Sequence, residues 1–136
     1  MTLRYLLDTN ICIRVLRERD ERLRARFKAE TSGLCTSSVV LHELLFGAAR
    51  SARPDHQREQ VHRLMARMPM MPFDDEAADH AADIRADLSA KGRMIGAYDL
   101  LIAGHARSRG LIVVTGNLGE FLRVDGLRSE NWPGDG

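Results

Sequence analysis

Three carboxylates in this chain occupy positions where a soluble protein seldom places them. Asp8 closes the apolar run Leu3-Arg4-Tyr5-Leu6-Leu7 and is followed by Thr9 and Asn10. A short apolar run bounded by polar groups reads as a buried strand. An ionised carboxylate buried at its end is costly unless it faces a cation or a donor. Glu43 has Val39, Val40, Phe46 and Gly47 as helical neighbours at i−4, i−3, i+3 and i+4, so it does not lie on a freely solvated face. Gly47 costs about 1 kcal/mol in a helix interior, which points to close packing or to room for a ligand. Asp99 shares a helical face with Ile102, Ala103 and Ala106, a carboxylate in the first turn of an apolar stripe. Plainer accounts exist for two of them: a helix-edge glutamate for Glu43, an N-terminal capping acid for Asp99. Three carboxylates converging on one crevice repel one another. A divalent cation relieves that repulsion, and an oxygen-only ligand set of Asp8, Glu43 and Asp99 favours Mg²⁺ or Mn²⁺. Such ions activate water and stabilise phosphoryl transition states.

Thr115-Gly116-Asn117 follows Leu111-Ile112-Val113-Val114, the strongest strand signal in the chain. If this strand runs parallel to the first, Thr115 and Asn117 offer a hydroxyl and an amide to the crevice of Asp8, although turn chemistry alone also explains Gly116-Asn117. Asn10 is a third supporting polar group.

The elements that must position these residues alternate. Strands are expected at 3–7, 34–36, 70–73 and 111–114, with one more short strand near Leu127. Pro72 suggests an edge position for the third. Helices are expected from Ile11 to Arg17, Glu21 to Glu30, after a Ser37 or Ser38 cap to about Arg50, from Pro54 to before Pro69, from Asp75 to about Lys91, and from about Ala97 to Ser108. Such alternation means an α/β sandwich. Its ligand crevice lies outside the carboxyl ends of the strands.

At 136 residues, with 44% hydrophobic and 29% charged residues, the chain reads as one ordinary globular domain, 1–136. No run approaches a membrane span, and the chain goes straight into its first strand, so no signal peptide is expected. Cys12 and Cys35 form no metal-type pair or disulfide framework; the cytoplasm is the simple expectation. The five histidines, His42, His56, His62, His80 and His105, show no ligand spacing. Charge is uneven: residues 1–67 carry 13 basic and 8 acidic side chains, net +5, and residues 68–136 carry 7 and 11, net −4. Of the cations, 18 are Arg and 2 Lys, a bias that suits a phosphodiester and that a GC-rich genome also produces. Asp75, Asp79, Asp83 and Asp87 recur every four residues, a solvated face or a docking stripe for a basic partner.

The chain resembles the PIN-domain ribonucleases and, within them, the VapC toxins of bacterial toxin–antitoxin pairs. The matching stretches are Tyr5-Leu6-Leu7-Asp8-Thr9-Asn10, Ser38 to Gly47 around His42-Glu43-Leu44, Tyr98-Asp99-Leu100-Leu101-Ile102-Ala103, Val114-Thr115-Gly116-Asn117 with Phe121, and the ending Leu127 to Trp132. Four motifs in order at suitable separations span essentially the whole chain. The resemblance implies a three-layer sandwich with a central parallel sheet of about five strands flanked by helices. It also implies a homodimer or toxin–antitoxin hetero-oligomer, and Mg²⁺- or Mn²⁺-dependent cleavage of structured RNA, tRNA first. It places Asp8, Glu43 and Asp99 on the acidic site. Many PIN domains carry an aspartate where this chain has Asn117, so a second tightly held metal is in doubt.

Other readings are weaker. A haloacid-type phosphatase needs a second aspartate at position 10, which is asparagine. A zinc protease helix beginning at His42-Glu43 needs histidine at Phe46. A non-catalytic nucleic-acid or partner-binding module has no use for all three acids. An unrestrained ribonuclease needs an inhibitor, and the resemblance supplies a VapB-like antitoxin. Its expected dock is a groove between the helices of Ile11 to Glu30 and the helix ending near Arg67. There Leu16, Leu23, Phe27, Val61 and Leu64 offer apolar surface, and a basic side chain of the partner can reach the acids. Arginines within 14–26 are expected to hold the RNA backbone.

Overall fold

The computed structural model describes residues 2–17 and 20–132; Arg19, one of the arginines above, lies outside them. Five short strands alternate with helices: β1 Tyr5–Leu7, α1 Thr9–Arg17, α2 Glu21–Ala29, β2 Leu34–Ser37, α3 Ser38–Ala49, α4 Pro54–Met65, β3 Met70–Met71, α5 Asp75–Ala90, α6 Ala97–Ser108, β4 Ile112–Val114, α7 Leu118–Phe121 and β5 Ser129–Glu130. The strands form one parallel sheet in the order β3-β2-β1-β4-β5. Every residue of β1 and β4 is buried, as parallel strands covered on both faces require. The chain leaves β1 toward β2 and β3, then returns to lay β4 on the other side of β1. The topological switch point therefore falls between β1 and β4, where α/β sheets bind ligands. Leu7 pairs with Val114, so Asp8 and Thr115 leave the sheet side by side.

Most expected boundaries hold to within two residues, and the departures have local causes. Helix α1 starts at Thr9 rather than Ile11 because Asp8 caps it: Asp8 Oδ1 accepts from Ile11 N at 3.2 Å and Asp8 O from Cys12 N. Strand β3 is at the sheet edge, but pairing ends at Met71, before Pro72. The last strand forms two residues beyond Leu127. The single turn of α7 and the 3₁₀ turn Thr31–Gly33 were not anticipated; both are too short to show a period.

The core is built on small-residue contacts where helices approach closely. Ala77, Ala81, Ile84 and Leu88 of α5 are buried as their spacing suggests. A Cβ added to Gly104 of α6 would sit 2.6 Å from the Ala81 backbone; only glycine allows this approach. His105 is fully buried, with Nδ1 2.8 Å from Ser37 Oγ and its ring edge-on to Phe73. Burial lowers its pKa, so it serves as a core residue. Of the α5 aspartate stripe, Asp83 pairs with Arg107 at 2.6 Å and Asp87 with Lys91 at 3.0 Å, which leaves half the stripe for solvent. Trp132, 1% exposed, packs edge-on against Tyr5 at 5.3 Å beneath the Arg26 guanidinium, and its indole N–H donates to Glu130.

Candidate active site

Four different elements deliver carboxylates to the switch-point crevice. Asp8 follows β1 and caps α1; Glu43 projects from α3; Asp99 lies in the first turn of α6; Glu120 lies on α7. Asp8 is nearly sealed, at 2% exposure. Burial raises its carboxyl to about 6, against the opposing bonds from the Thr115 hydroxyl and Ile11 N–H; the Asp99 charge raises it further. Burial also raises Asp99, with Glu120 and Glu43 adding to the effect and an Asn117 hydrogen bond opposing it. Asp99 is therefore coupled to the other three, its charge acting on Asp8 and those of Glu120 and Glu43 acting on it, which ties the four into one electrostatic cluster.

Neutral donors hold the cluster in place. Thr9 Oγ1 donates to Glu43 Oε1 at 2.5 Å. Asn117 Nδ2 donates to Asp99 Oδ2 at 3.0 Å and to Glu120 Oε2 at 2.5 Å. Glu120 Oε1 accepts from Gly96 N at 2.6 Å, the first hydrogen-bond donor ahead of α6, and this bond holds its pKa down. Thr115 is fully buried; its hydroxyl faces Asp8 and also accepts from Asn117 N at 2.8 Å. Among the described residues, no Lys or Arg lies within ion-pair distance of Asp8, Glu43, Asp99 or Glu120.

The structure thus brings Asp8, Glu43, Asp99, Thr115 and Asn117 together. Asn10 differs: its side chain is exposed, and it reaches Asp8 through its backbone. Glu120 was missed, because its separation of three residues from Asn117 has no meaning until α7 is known to be helical. Glu43 and Asp99 are half-buried, neither a free helix edge nor a simple cap.

The donor set fits a hard divalent cation: oxygen only, anionic, and among the described residues in ion-pair contact with no Lys or Arg. Among the described residues, no group of three or more acidic, histidine or cysteine side chains is already arranged to hold a metal ion. The acids line the crevice rather than close on a point.

A family model described as the PIN domain matches residues 5–127. The chain belongs to the PIN-domain family. It is 45% identical over 130 residues to the tRNA(fMet)-specific endonuclease VapC of Salmonella typhimurium, covering 96% of this chain and 98% of that protein. It is 41% identical to ribonuclease VapC2 of Haemophilus influenzae, with the same coverage. Among solved structures, DNA-bound VapBC from Salmonella typhimurium superposes with a TM-score of 0.93, covering 96% of this chain and 98% of that one at 45% identity. VapBC2 from Rickettsia felis, bound to a promoter DNA fragment, gives 0.90 at 30% identity, covering 97% and 99%. Within the PIN domains, the chain therefore groups with VapC. No helix of the described residues is long and apolar enough to cross a membrane.

Proposed function

We propose that this PIN domain is a VapC-type endoribonuclease that hydrolyses phosphodiesters of structured RNA with Mg²⁺ or Mn²⁺, and that a VapB-like antitoxin restrains it. The observation that carries the reading is the carboxylate cluster at the β1/β4 switch point, where among the described residues only the Arg123 charge reaches Glu120 from beyond ion-pair distance. The names of the 45% and 41% identical relatives support ribonuclease action, with tRNA the first substrate class to test.

Asp8, Glu43 and Asp99 would hold the metal ion, with Glu120 beside them. When bound, such an ion supplies a water nucleophile and charge stabilisation at phosphorus. The chain's own residues set the conditions. Asp8 must give up its proton near pH 6 to become a ligand. Thr9 orients Glu43. Asn117 holds Asp99 and Glu120 together without adding a charge, and so favours one ion over two. Hydrolysis by water needs no 2′-OH nucleophile, so the fragments should carry 5′-phosphate and 3′-hydroxyl. The experiment is to map the 5′ ends of cellular RNA after induction and to assign the end chemistry with purified protein. A 2′,3′-cyclic phosphate, or full activity in Asp8→Asn or Asp99→Asn, would refute the mechanism. A chain that takes up no Mn²⁺ at these acids and cuts nothing would instead be a binding module.

The partner surface needs one correction. Leu23, Phe27, Val61 and Leu64 are already buried within the chain, at 1–3% exposure, so they leave little apolar surface to cover. A cavity of about 390 Å³ nevertheless lies between α1, α2 and α4, with Leu16, Phe27 and Leu64 as walls and Arg24, Lys28, Arg63 and Arg67 on its rim. A helix that is apolar on one side and acidic on the other fits it. Two of the expected RNA-holding arginines are committed elsewhere: Arg14 is largely covered near Asp20, and Arg26 is held by Glu30, Glu130 and Trp132. Arg17, Arg22 and Arg24 remain exposed. Phe46 on α3 and Tyr98 on α6 are large exposed apolar residues, and the α3–α6 face where the His42 and Tyr98 rings meet is our proposed contact for a second copy.

A further inference from the structure

Helix α3 carries a glycine that its own fold does not require. Glycine in a helix interior is destabilising relative to alanine. Gly104 has a reason, the Ala81 backbone 2.6 Å from its would-be Cβ. A Cβ on Gly47 would meet nothing within 4 Å, and the Gly47 backbone is not left-handed. Of the two roles the sequence allowed Gly47, close packing is therefore removed and room for a ligand remains.

Gly47 borders a pocket that also contains Glu43, one turn earlier on α3. Ile13 and Leu16 of α1 and Val61 of α4 also line it. Three polar side chains besides Glu43 share this lining: Arg17, Ser51 and Gln57. Ser51 already donates its proton to Ala48 O at 2.7 Å, so its remaining capacity is as an acceptor. Arg17 only donates; the Gln57 amide does both. Aliphatic walls with mixed donors and acceptors suit the flat face and polar edge of a nucleobase. The enclosed volume is about 60 Å³, which takes the edge of a ring rather than a whole nucleotide. Glu43 belongs both to this pocket and to the acidic crevice, so the two adjoin.

We propose that this pocket receives the edge of the unpaired base next to the cut phosphate, with Gln57, Ser51 and Arg17 reading it and Gly47 keeping the mouth open. The proposal rests on the ribonuclease reading for its placement. It is testable apart from cleavage, because base binding is measurable without metal.

The test uses the full chain and labelled unpaired RNAs of about eight nucleotides, one for each base and one abasic, in metal-free buffer. Wild type is expected to bind at least one base-bearing RNA on the order of tenfold tighter than the abasic one. Gly47→Leu should erase that gap and leave abasic affinity unchanged, while melting no lower than wild type. Gln57→Ala should flatten the preference among the four bases. No gap in wild type, a gap retained in Gly47→Leu, or a lower melting temperature for that variant would each overturn the proposal. A Gly47→Leu protein that loses only its antitoxin complex would assign the pocket to the protein partner, and overturn it too. Cleavage separates the two readings. Wild type that shows the gap but cuts no RNA leaves the pocket standing and removes the ribonuclease. Gly47→Leu that cuts the mapped RNA at wild-type rate and position removes the pocket and leaves the ribonuclease.

Discussion

Replacing Asp8 by asparagine should stabilise the metal-free protein at pH 8 and change it little at pH 4. Asp8 is 2% exposed, and burial lifts its carboxyl from the ordinary 3.8 to about 6. The sign follows from proton binding. Between those two pH values the folded state holds more protons than the unfolded chain, so stability falls as pH rises. Below about 3.8 both states are protonated and the penalty vanishes; above about 6 it is complete. A gap of about two units at 1.36 kcal/mol each amounts to about 3 kcal/mol. That is a large part of a typical stability of roughly 5–15 kcal/mol. Asparagine keeps an oxygen for the Ile11 N–H, so the α1 cap survives. The assay is urea unfolding in EDTA from pH 4 to 8, followed by the fluorescence of the one tryptophan, Trp132. The wild-type curve should fall away from the variant's through the window and then run parallel. A difference that does not vary with pH, or a wild type more stable at pH 8, refutes the assignment of Asp8 as a buried charge whose hydrogen bonds do not offset its burial. Mn²⁺ at pH 8 should restore stability to wild type in proportion to its binding, and far less to the variant.

Three further outcomes are expected. Glu120→Gln should weaken both Mn²⁺ uptake and kcat/KM by about tenfold or more; unchanged Mn²⁺ affinity would reduce Glu120 to a partner for the Gly96 N–H. Gly104→Ala should cost about 1–3 kcal/mol in denaturant unfolding, since the added methyl meets the Ala81 backbone at 2.6 Å; an unshifted midpoint would show that α5 and α6 can separate freely. RNA binding should drop at least about tenfold between 50 and 200 mM salt, and charge removal at Arg17, Arg22 and Arg24 should flatten that slope; salt-independent binding contradicts an electrostatic grip.

How much of this was legible before the structure depended on what kind of signal each residue left. Asp8 was readable because a carboxylate ending an apolar run is an energetic anomaly. Val113 and Val114 fixed their strand by composition, and the parallel register of Leu7 with Val114 then placed Thr115 beside Asp8. Glu43 and Asp99 were readable from helical neighbours alone. Glu120 was not, because one turn of helix carries no period, and its role depends on Gly96, which is 24 residues earlier in the chain. Asn10 is exposed and meets Asp8 through its backbone, a contact that residue type alone does not announce. The groove residues Leu23, Phe27, Val61 and Leu64 were rightly seen as apolar faces, but periodicity cannot say whether two such faces cover each other. In this fold all four are buried, and the cavity left between the helices keeps Leu16, Phe27 and Leu64 as walls inside a charged rim.

Asn117 has a consequence for how the protein holds RNA. An amide bridges Asp99 and Glu120 where a fourth acid of the usual kind would have stood. Even so, with Asp8, Glu43, Asp99 and Glu120 ionised the crevice carries four negative charges, and one divalent cation leaves two. A phosphodiester approaching such a crevice is pushed away by the groups that would cut it. Retention must come from cations set back from the acids, so grip and chemistry draw on opposite signs of charge. Any amide exchanged for an acid then lowers the repulsion along with the reactivity. The inert Asp99→Asn protein should retain RNA longer than the active enzyme, which makes it the form suited to capturing the substrate from cell extract.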